Sequence, residues 1–436
     1  IIVALLDTGV DYNHEDLARN VWLNPGEAGP LSTNGIDDDG NGYIDDFHGW
    51  DFVDNDNDPM DINGHGTMCA GVIGAVGDNG VGIAGVCWDI QVMPLKTYFV
   101  VSEVVGAIRY AVRNGARILS NSYHIDAYSQ SVADMVTMAC SSGVLFVASA
   151  GNDGADNDIA DHYPSDYTNA NIIAVAATTN TDQLASFSNY GAQSVHLAAP
   201  GADVLTTIPG SLYAPSGGTS LAAPHVAGAA ALLWGANPAL RMEDVKAALL
   251  ENVDTNAWLA GKTVAGGRLN VARALNRVVG LNMDKAEYFV NSWITLSLVN
   301  SNLANTHTQT IQVSATSGDL ESVTLTEVSG NVGSFTGQLW LAGATVATNA
   351  NGRLEAMQGT VITGRFINSG LGITNTAVAW VNHSLRLVIT TPPQVLPATT
   401  TSVQIAGVNN GNVWVGMVIS NALTGQSLSF AATNNW

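Results

Sequence analysis

Ile1-Ile2-Val3-Ala4-Leu5-Leu6-Asp7-Thr8-Gly9 opens the chain with an unbroken apolar run that ends in an acid and a turn. No position in the run is polar, so neither face is meant for water. Such runs suit strands covered on both sides, as in parallel sheets. Similar runs, bounded by Gly, Asn or Asp, recur at 90–93, 118–120, 144–148 and 172–176. Between them, 104–114 and 132–142 have helical spacing, with Gly115 and Gly143 as C-terminal stops. Residues 221–234 are almost wholly apolar, which predicts a buried central helix. This βαβ rhythm predicts an α/β domain over 1–277: a doubly wound, mostly parallel sheet with helices on both faces.

After Arg277 the pattern changes. Residues 281–386 alternate in period two and are rich in Thr, Val, Ser and Asn, with 322–327 and 335–341 as clear strands. That predicts an all-β sandwich domain. A break at Thr391-Pro392-Pro393 opens a last segment, 391–436, expected to be part of a further β domain cut short at Trp436.

Composition narrows the function. With 37 acids against 15 bases the net charge is −22, which repels phosphate backbones and anionic lipid. The expectation is no nucleic acid and no membrane span, since no apolar run is long enough for one. An acidic surface suits calcium and solubility outside cells. Only 12% of residues are charged, which argues against a disordered or coiled-coil chain. Cys69, Cys87 and Cys140 can close one pair at most and lack zinc spacing. The chain begins directly with a strand and no leader, so a processed or truncated product is expected.

Three segments carry chemistry. Asp7 ends the first strand, where open α/β sheets place their ligands. His65 lies in Asn63-Gly64-His65-Gly66-Thr67, so its ring is open to approach. Ser220 lies in Ser216-Gly217-Gly218-Thr219-Ser220, directly before the buried helix, whose start leaves backbone N–H groups unpaired. Each also has an ordinary reading, as a turn residue, a structural histidine or a helix cap. Together they supply a nucleophile, a base, an orienting acid and an oxyanion donor.

These segments resemble the subtilisin-like serine proteases. Leu5-Leu6-Asp7-Thr8-Gly9-Val10, His65-Gly66-Thr67-Met68-Cys69-Ala70-Gly71 and Gly218-Thr219-Ser220-Leu221-Ala222-Ala223-Pro224 are similar to that family's Asp, His and Ser boxes, in the family's order. The resemblance covers about 1–277. It implies a subtilisin-like fold with Ser220 as nucleophile, His65 as base and Asp7 as orienting acid. Ala150-Gly151-Asn152-Asp153-Gly154 resembles the segment that supplies the oxyanion asparagine, here Asn152. Ser122, Tyr123, Ala150 and Gly151 would border the P1 side chain.

The chain departs from the family at several points. Met68 stands where a second histidine is usual. Cys69 resembles the free cysteine of the thermitase-like and proteinase K-like branches, and also reads as a small buried apolar residue. His124 falls where glycine is common, and the loop 97–102 is short and lacks glycine. A reshaped cleft follows, and a non-enzymatic scaffold is the competing reading.

Calcium is expected at 35–46. Asp37, Asp39, Asn41, the Tyr43 carbonyl and Asp45 follow the spacing of an EF-hand loop, with Gly42 at the sharp turn. His48 occupies the position of the closing glutamate, for which Asp46 can substitute. By resemblance alone, Asp16 with Val76, Asn79, Val81 and Ile83 would form a second site. The run 51–61 reads as a solvated acidic loop. The expected function is a secreted, extracellular endopeptidase, made as a zymogen. Its partners would be protein or peptide substrates and its own propeptide, with β domains that bind a surface or polymer.

Overall fold

The computed structural model describes residues 1–238 and 240–278, most of 280–381, and the strands Gly416–Ser420 and Ser427–Ala431. Contacts divide the chain into Ile1–Val279 and Gly280–Trp436.

The first unit is built on a sheet of β1 (Ile2–Asp7), β2 (Trp50–Asp51), β3 (Gln91–Lys96), β4 (Ile118–Asn121), β5 (Leu145–Ser149), β6 (Ile172–Thr178) and β7 (Leu197–Pro200). Strands β8 (Val204–Ile208) and β9 (Leu212–Ser216) form a separate hairpin, and β10 (Asp254–Thr255) and β11 (Gly267–Arg268) complete the edge. The order is β10-β11-β7-β6-β5-β4-β1-β3-β2, parallel throughout except for β10 against β11.

The helices are α1 (His65–Gly74), α2 (Val101–Arg113), α3 (Gln130–Ser141), α4 (Thr219–Ala236), α5 (Met242–Glu251) and α6 (Val271–Val278). They explain the unbroken apolar runs. Val3 and Leu5 pack into one core with residues of α1, α4 and α5, while Ala4 and Leu6 pack into another with α2 and α3. Each of the buried valine and leucine side chains stabilises the fold by about 1.5–3 kcal/mol. Helix α4 is apolar all round because it lies under the sheet against β4, β5, β6 and β7.

In the second unit β12 (Gly280–Met283), β13 (Glu287–Tyr288), β14 (Ser292–Val299), β15 (Thr308–Ala315), β16 (Leu320–Glu327), β17 (Ser334–Gly343), β19 (Val361–Asn368) and β20 (Ile373–Val381) join in one hydrogen-bonded path, and β18 (Arg353–Ala356) pairs with β17 beside it. Alternate residues, such as Ile311 and Val313 on β15 and Val323 and Leu325 on β16, point into a single core. Of the segment 391–436, only Gly416–Ser420 and Ser427–Ala431 are described, paired antiparallel; the rest lies outside the described residues.

Candidate active site

Asp7 is held at the end of β1 between β3 and β4, and is fully buried. Its Oδ1 accepts from the Thr8 N–H at 2.8 Å and lies 2.6 Å from His65 Nδ1. Helix α1 starts at His65, after Gly64 at φ 104°, a conformation that favours glycine. Gly66 permits the approach: a Cβ there would sit 2.0 Å from the Gly9 carbonyl oxygen and 3.1 Å from Asp7 Cβ.

Asp61 ties these parts together, contrary to the expectation of a solvated loop at 51–61. It is buried, accepts from Thr8 Oγ1 at 3.0 Å and from the Gly64 N–H at 2.8 Å, and caps the Thr67 N–H at 2.9 Å. Asp51, at the other end of the run, is buried in an ion pair with Lys96 at 2.6 Å. Asp54, Asp56 and Asp58 are exposed, as expected of such a loop. The Asp-x-x-Gly spacing before His65 was the signal available for Asp61, an Asx-type cap.

The Asp7 charge raises the His65 pKa above its ordinary 6.5, against the opposing effect of burial. The imidazole therefore binds a proton more readily than a free one.

Ser220 stands in the first turn of α4, after Gly218 at φ 143°. Its Oγ donates to the Ser122 carbonyl at 3.3 Å. Pro224, four residues on, has no N–H for the Ser220 carbonyl. That carbonyl instead accepts from Ser122 Oγ at 2.9 Å and Cys69 Sγ at 3.3 Å. Cys69 is fully buried, and burial pushes its thiol well above the ordinary range. Its sulfur, an Asp7 carboxylate oxygen and a His65 ring nitrogen lie within 4.8 Å of one another.

Asn152 lies beside the same helix start. Its Oδ1 accepts from the Thr219 N–H at 2.8 Å and from Thr219 Oγ1 at 3.0 Å, so its Nδ2 is left to donate. Gly151 donates its N–H to Thr219 Oγ1 at 3.2 Å, and Ala150 is fully buried. Asn189 and Asn157 brace this loop: Asn189 Oδ1 accepts from the Asp153 and Ala155 N–H groups, and Asn157 Nδ2 donates to the Ala150 carbonyl. Ser122 lies against Ser220, but the Tyr123 ring turns into the core. It stacks on Phe99 at 4.8 Å and donates its hydroxyl to Asn121 Oδ1. Only the Tyr123 backbone is left for the cleft.

The sequence profile of the subtilase family matches residues 1–280. The chain belongs to the subtilase family. It is 39% identical over 236 residues to the thermophilic serine proteinase of Bacillus sp. strain AK1, covering 53% of this chain and 51% of that protein. It is 37% identical over 278 residues to thermitase of Thermoactinomyces vulgaris, covering 63% of this chain and 88% of that protein. The subtilase unit thus spans about half the length of the Bacillus relative and most of thermitase. A solved protease structure from Pseudoalteromonas arctica PAMC 21717 is similar at TM-score 0.52 and 27% identity, covering 63% of this chain and 89% of that one.

The acidic insert of this subtilase brings together Glu27, Asp37 and Asp39, with a carboxylate oxygen of each within 4.8 Å of the others. Glu27 was missed in the sequence because it lies outside the loop motif. It is fully buried, its Oε1 accepts from the Asp38 N–H at 2.8 Å, and its Oε2 has no hydrogen-bond partner. Burial raises its pKa above the ordinary 4.5. An orphaned buried carboxylate oxygen beside two more acids fits a hard cation. Asn41 links the group through hydrogen bonds to Asp37, Asp39 and Asp46. Asp45 is used differently: its Oδ1 accepts from the N–H groups of Asn34 and Gly35. Asp46 is buried among Asn24, Asn41 and the Tyr110 hydroxyl, and the Tyr43 ring packs against Trp50 and Tyr110.

Asp16 and the 76–83 loop also meet. The Asp16 carboxylate accepts from Asn79 Nδ2 at 2.7 Å and the Ile83 N–H at 2.9 Å. The Val76 N–H donates to the Asp16 carbonyl, and the Val81 N–H to Asn79 Oδ1. These groups satisfy one another and leave no orphaned oxygen of Asp16.

Proposed function

We propose that the chain is a secreted serine endopeptidase acting on protein and peptide substrates through an acyl-enzyme. The observation that carries this reading is the 2.6 Å contact of His65 Nδ1 with buried Asp7, beside a serine at the start of a buried helix. Ser220 Oγ attacks the scissile carbonyl and its proton passes to His65 Nε2. Asp7 stays ionised and holds the imidazole in the tautomer that can accept it. The carbonyl oxygen gains charge and takes hydrogen bonds from Asn152 Nδ2 and the Ser220 N–H. The C–N bond breaks as His65 returns the proton to the leaving amine, and water repeats the sequence on the ester. The Ser220 hydroxyl, which donates to the Ser122 carbonyl, must first turn to the imidazole. Catalytic hydrogen bonds in free enzymes are commonly looser than in the substrate complex.

A fluorophosphonate probe tests the reading. Wild type should be labelled at Ser220 and should hydrolyse a denatured protein, while Ser220→Ala does neither. An unlabelled, inactive wild type would leave the scaffold reading in its place.

Calcium belongs to the same reading, held by Glu27, Asp37 and Asp39 in the acidic insert, where it would cross-link chain on both sides of the loop. Synthesis as a zymogen with a propeptide, and export, complete the proposal. For the β unit we infer contact with a polymer or surface. Trp293 and Trp380 are more than half exposed and Trp293 packs edge-on to Trp340 at 5.2 Å, which offers apolar ring faces. Loss of binding to an insoluble polysaccharide or protein in Trp293→Ala is the expected result.

A further inference from the structure

Ser220 is flanked by two chain segments that leave adjacent parallel strands. Ser122 to His124 leaves β4, and its first residue holds Ser220 through the bonds described above. Ala150 to Asn152 leaves β5 and holds Thr219. On the peptidase reading, a peptide with its scissile carbon at Ser220 Oγ and its oxygen toward Asn152 would extend its acyl-side side chain into the gap between these segments.

Two imidazoles close that gap. His124, exposed at its rim, stacks on His162, with ring centroids 4.3 Å apart and planes 25° from parallel. His162 comes from the loop before β6 and is buried, with Ser165 Oγ 3.4 Å from its Nδ1. It abuts Gly151: a Cβ on that glycine would be 2.7 Å from His162 Cδ2 and Nε2, and 2.4 Å from Asn189 Nδ2. Gly151 is thus glycine for two reasons, its φ of 111° and the Asn189 and His162 side chains beside it.

We propose that the His124–His162 stack is the end wall of the pocket for the residue preceding the scissile bond, and restricts that residue to a short side chain. The inference rests on the peptidase reading above. A stacked pair fixed on one side by a buried ring is stiff, so a long or aromatic side chain must displace His124 before its carbonyl reaches Ser220. A lost near-attack position lowers turnover as well as binding. Burial holds His162 down to about 4, with His124 adding to the effect, so the buried ring is neutral at pH 7 and the stack carries no like-charge repulsion.

The test uses the full chain and four peptides that differ only at the residue before the cleaved bond: Ala, Ser, Leu and Phe. Fluorophosphonate labelling sets the concentration of active enzyme in each preparation. Wild type should favour Ala and Ser. In His124→Gly the ratio of kcat/KM for Phe over Ala should rise about ten- to a hundredfold, the range open to a hydrophobic pocket that gains or loses volume. His124→Ala, which asks nothing unusual of the backbone, should shift the ratio the same way but less. An unchanged ratio in both variants, with turnover retained, would overturn the pocket assignment while leaving the peptidase reading standing. A wild type that the fluorophosphonate does not label and that cleaves none of the peptides would remove both.

Discussion

Asp7 Oδ1 and His65 Nδ1 lie 2.6 Å apart although 58 positions separate them in the chain. The contact exists because the end of β1 abuts the first residue of α1, with only a glycine between. The Asp7 charge raises the His65 pKa above 6.5, and this has two consequences of opposite sign. On the proposed mechanism catalysis needs neutral His65, so kcat/KM should rise with pH through a value above 6.5. The protonated pair stabilises the fold fully below the unfolded pKa, and that contribution is lost as pH rises through the folded pKa. Asp7→Asn should move the acid limb down and lower kcat about ten-thousandfold by favouring the wrong tautomer. A pH–rate profile of both proteins checks this; an acid limb that stays in place in Asp7→Asn would count against the assignment.

Asn152→Ala should lower kcat about a hundred- to a thousandfold with little change in KM. Asn152 also accepts from the Thr219 N–H, so the deletion removes two functions. Asn152→Asp separates them, because it keeps the acceptor and loses the donor. It should be as slow as Asn152→Ala but retain the wild-type Tm.

Calcium should raise the Tm and EDTA should lower it. A site filled to a hundred times its Kd adds about 2.7 kcal/mol. Glu27→Gln should remove most of the calcium-dependent shift, and Asp45→Asn little of it. Burial raises the Glu27 pKa above 4.5, so the folded chain keeps this proton to higher pH than the unfolded one, and an ion must displace it. The calcium-dependent part of the Tm should therefore shrink as pH falls toward that range. Calorimetry at two pH values decides it.

Gly66→Ala should be among the most damaging one-carbon changes in the chain. The added methyl meets a backbone carbonyl oxygen at 2.0 Å, which cannot rotate away. Overpacking costs about 1–3 kcal/mol in general, and contact with backbone places this variant at the upper end or beyond. Denaturant unfolding should show the loss, with activity falling further as β1 and α1 part.

Cys69 should not react with iodoacetamide in the native protein, since its thiol is fully buried and kept neutral. A mercurial that reaches the sulfur should inhibit, because it would sit against the Ser220 carbonyl and the Asp7–His65 pair. Cys69→Ala should abolish the inhibition and retain activity.

Much of this was legible in the chain itself. The apolar run before Asp7, the glycines around His65 and the apolar helix after Ser220 announce the sheet and the ends at which chemistry sits. They do so because a strand buried on both faces, or a helix buried all round, leaves no choice of residue type. Period-two alternation announced β16 and β17 in the same way. The β8–β9 hairpin escaped notice: its alternation is weak, since Thr206 and Thr207 turn inward only to meet the carbonyls of Met68 and Thr67.

Sequence alone therefore determined which residues are chemically able: an acid, an imidazole, a hydroxyl, an amide and a cluster of aspartates, each in a local setting that binary pattern and turn chemistry dictate. Tertiary structure alone decided which of them meet. Glu27 joins Asp37 and Asp39, Asp61 ties β1 to α1, Tyr123 turns inward, and His162 stacks on His124. The physical reason is range: hydrophobic period and backbone propensity act over a few neighbours, whereas these contacts arise when strands and loops distant in the chain are packed side by side.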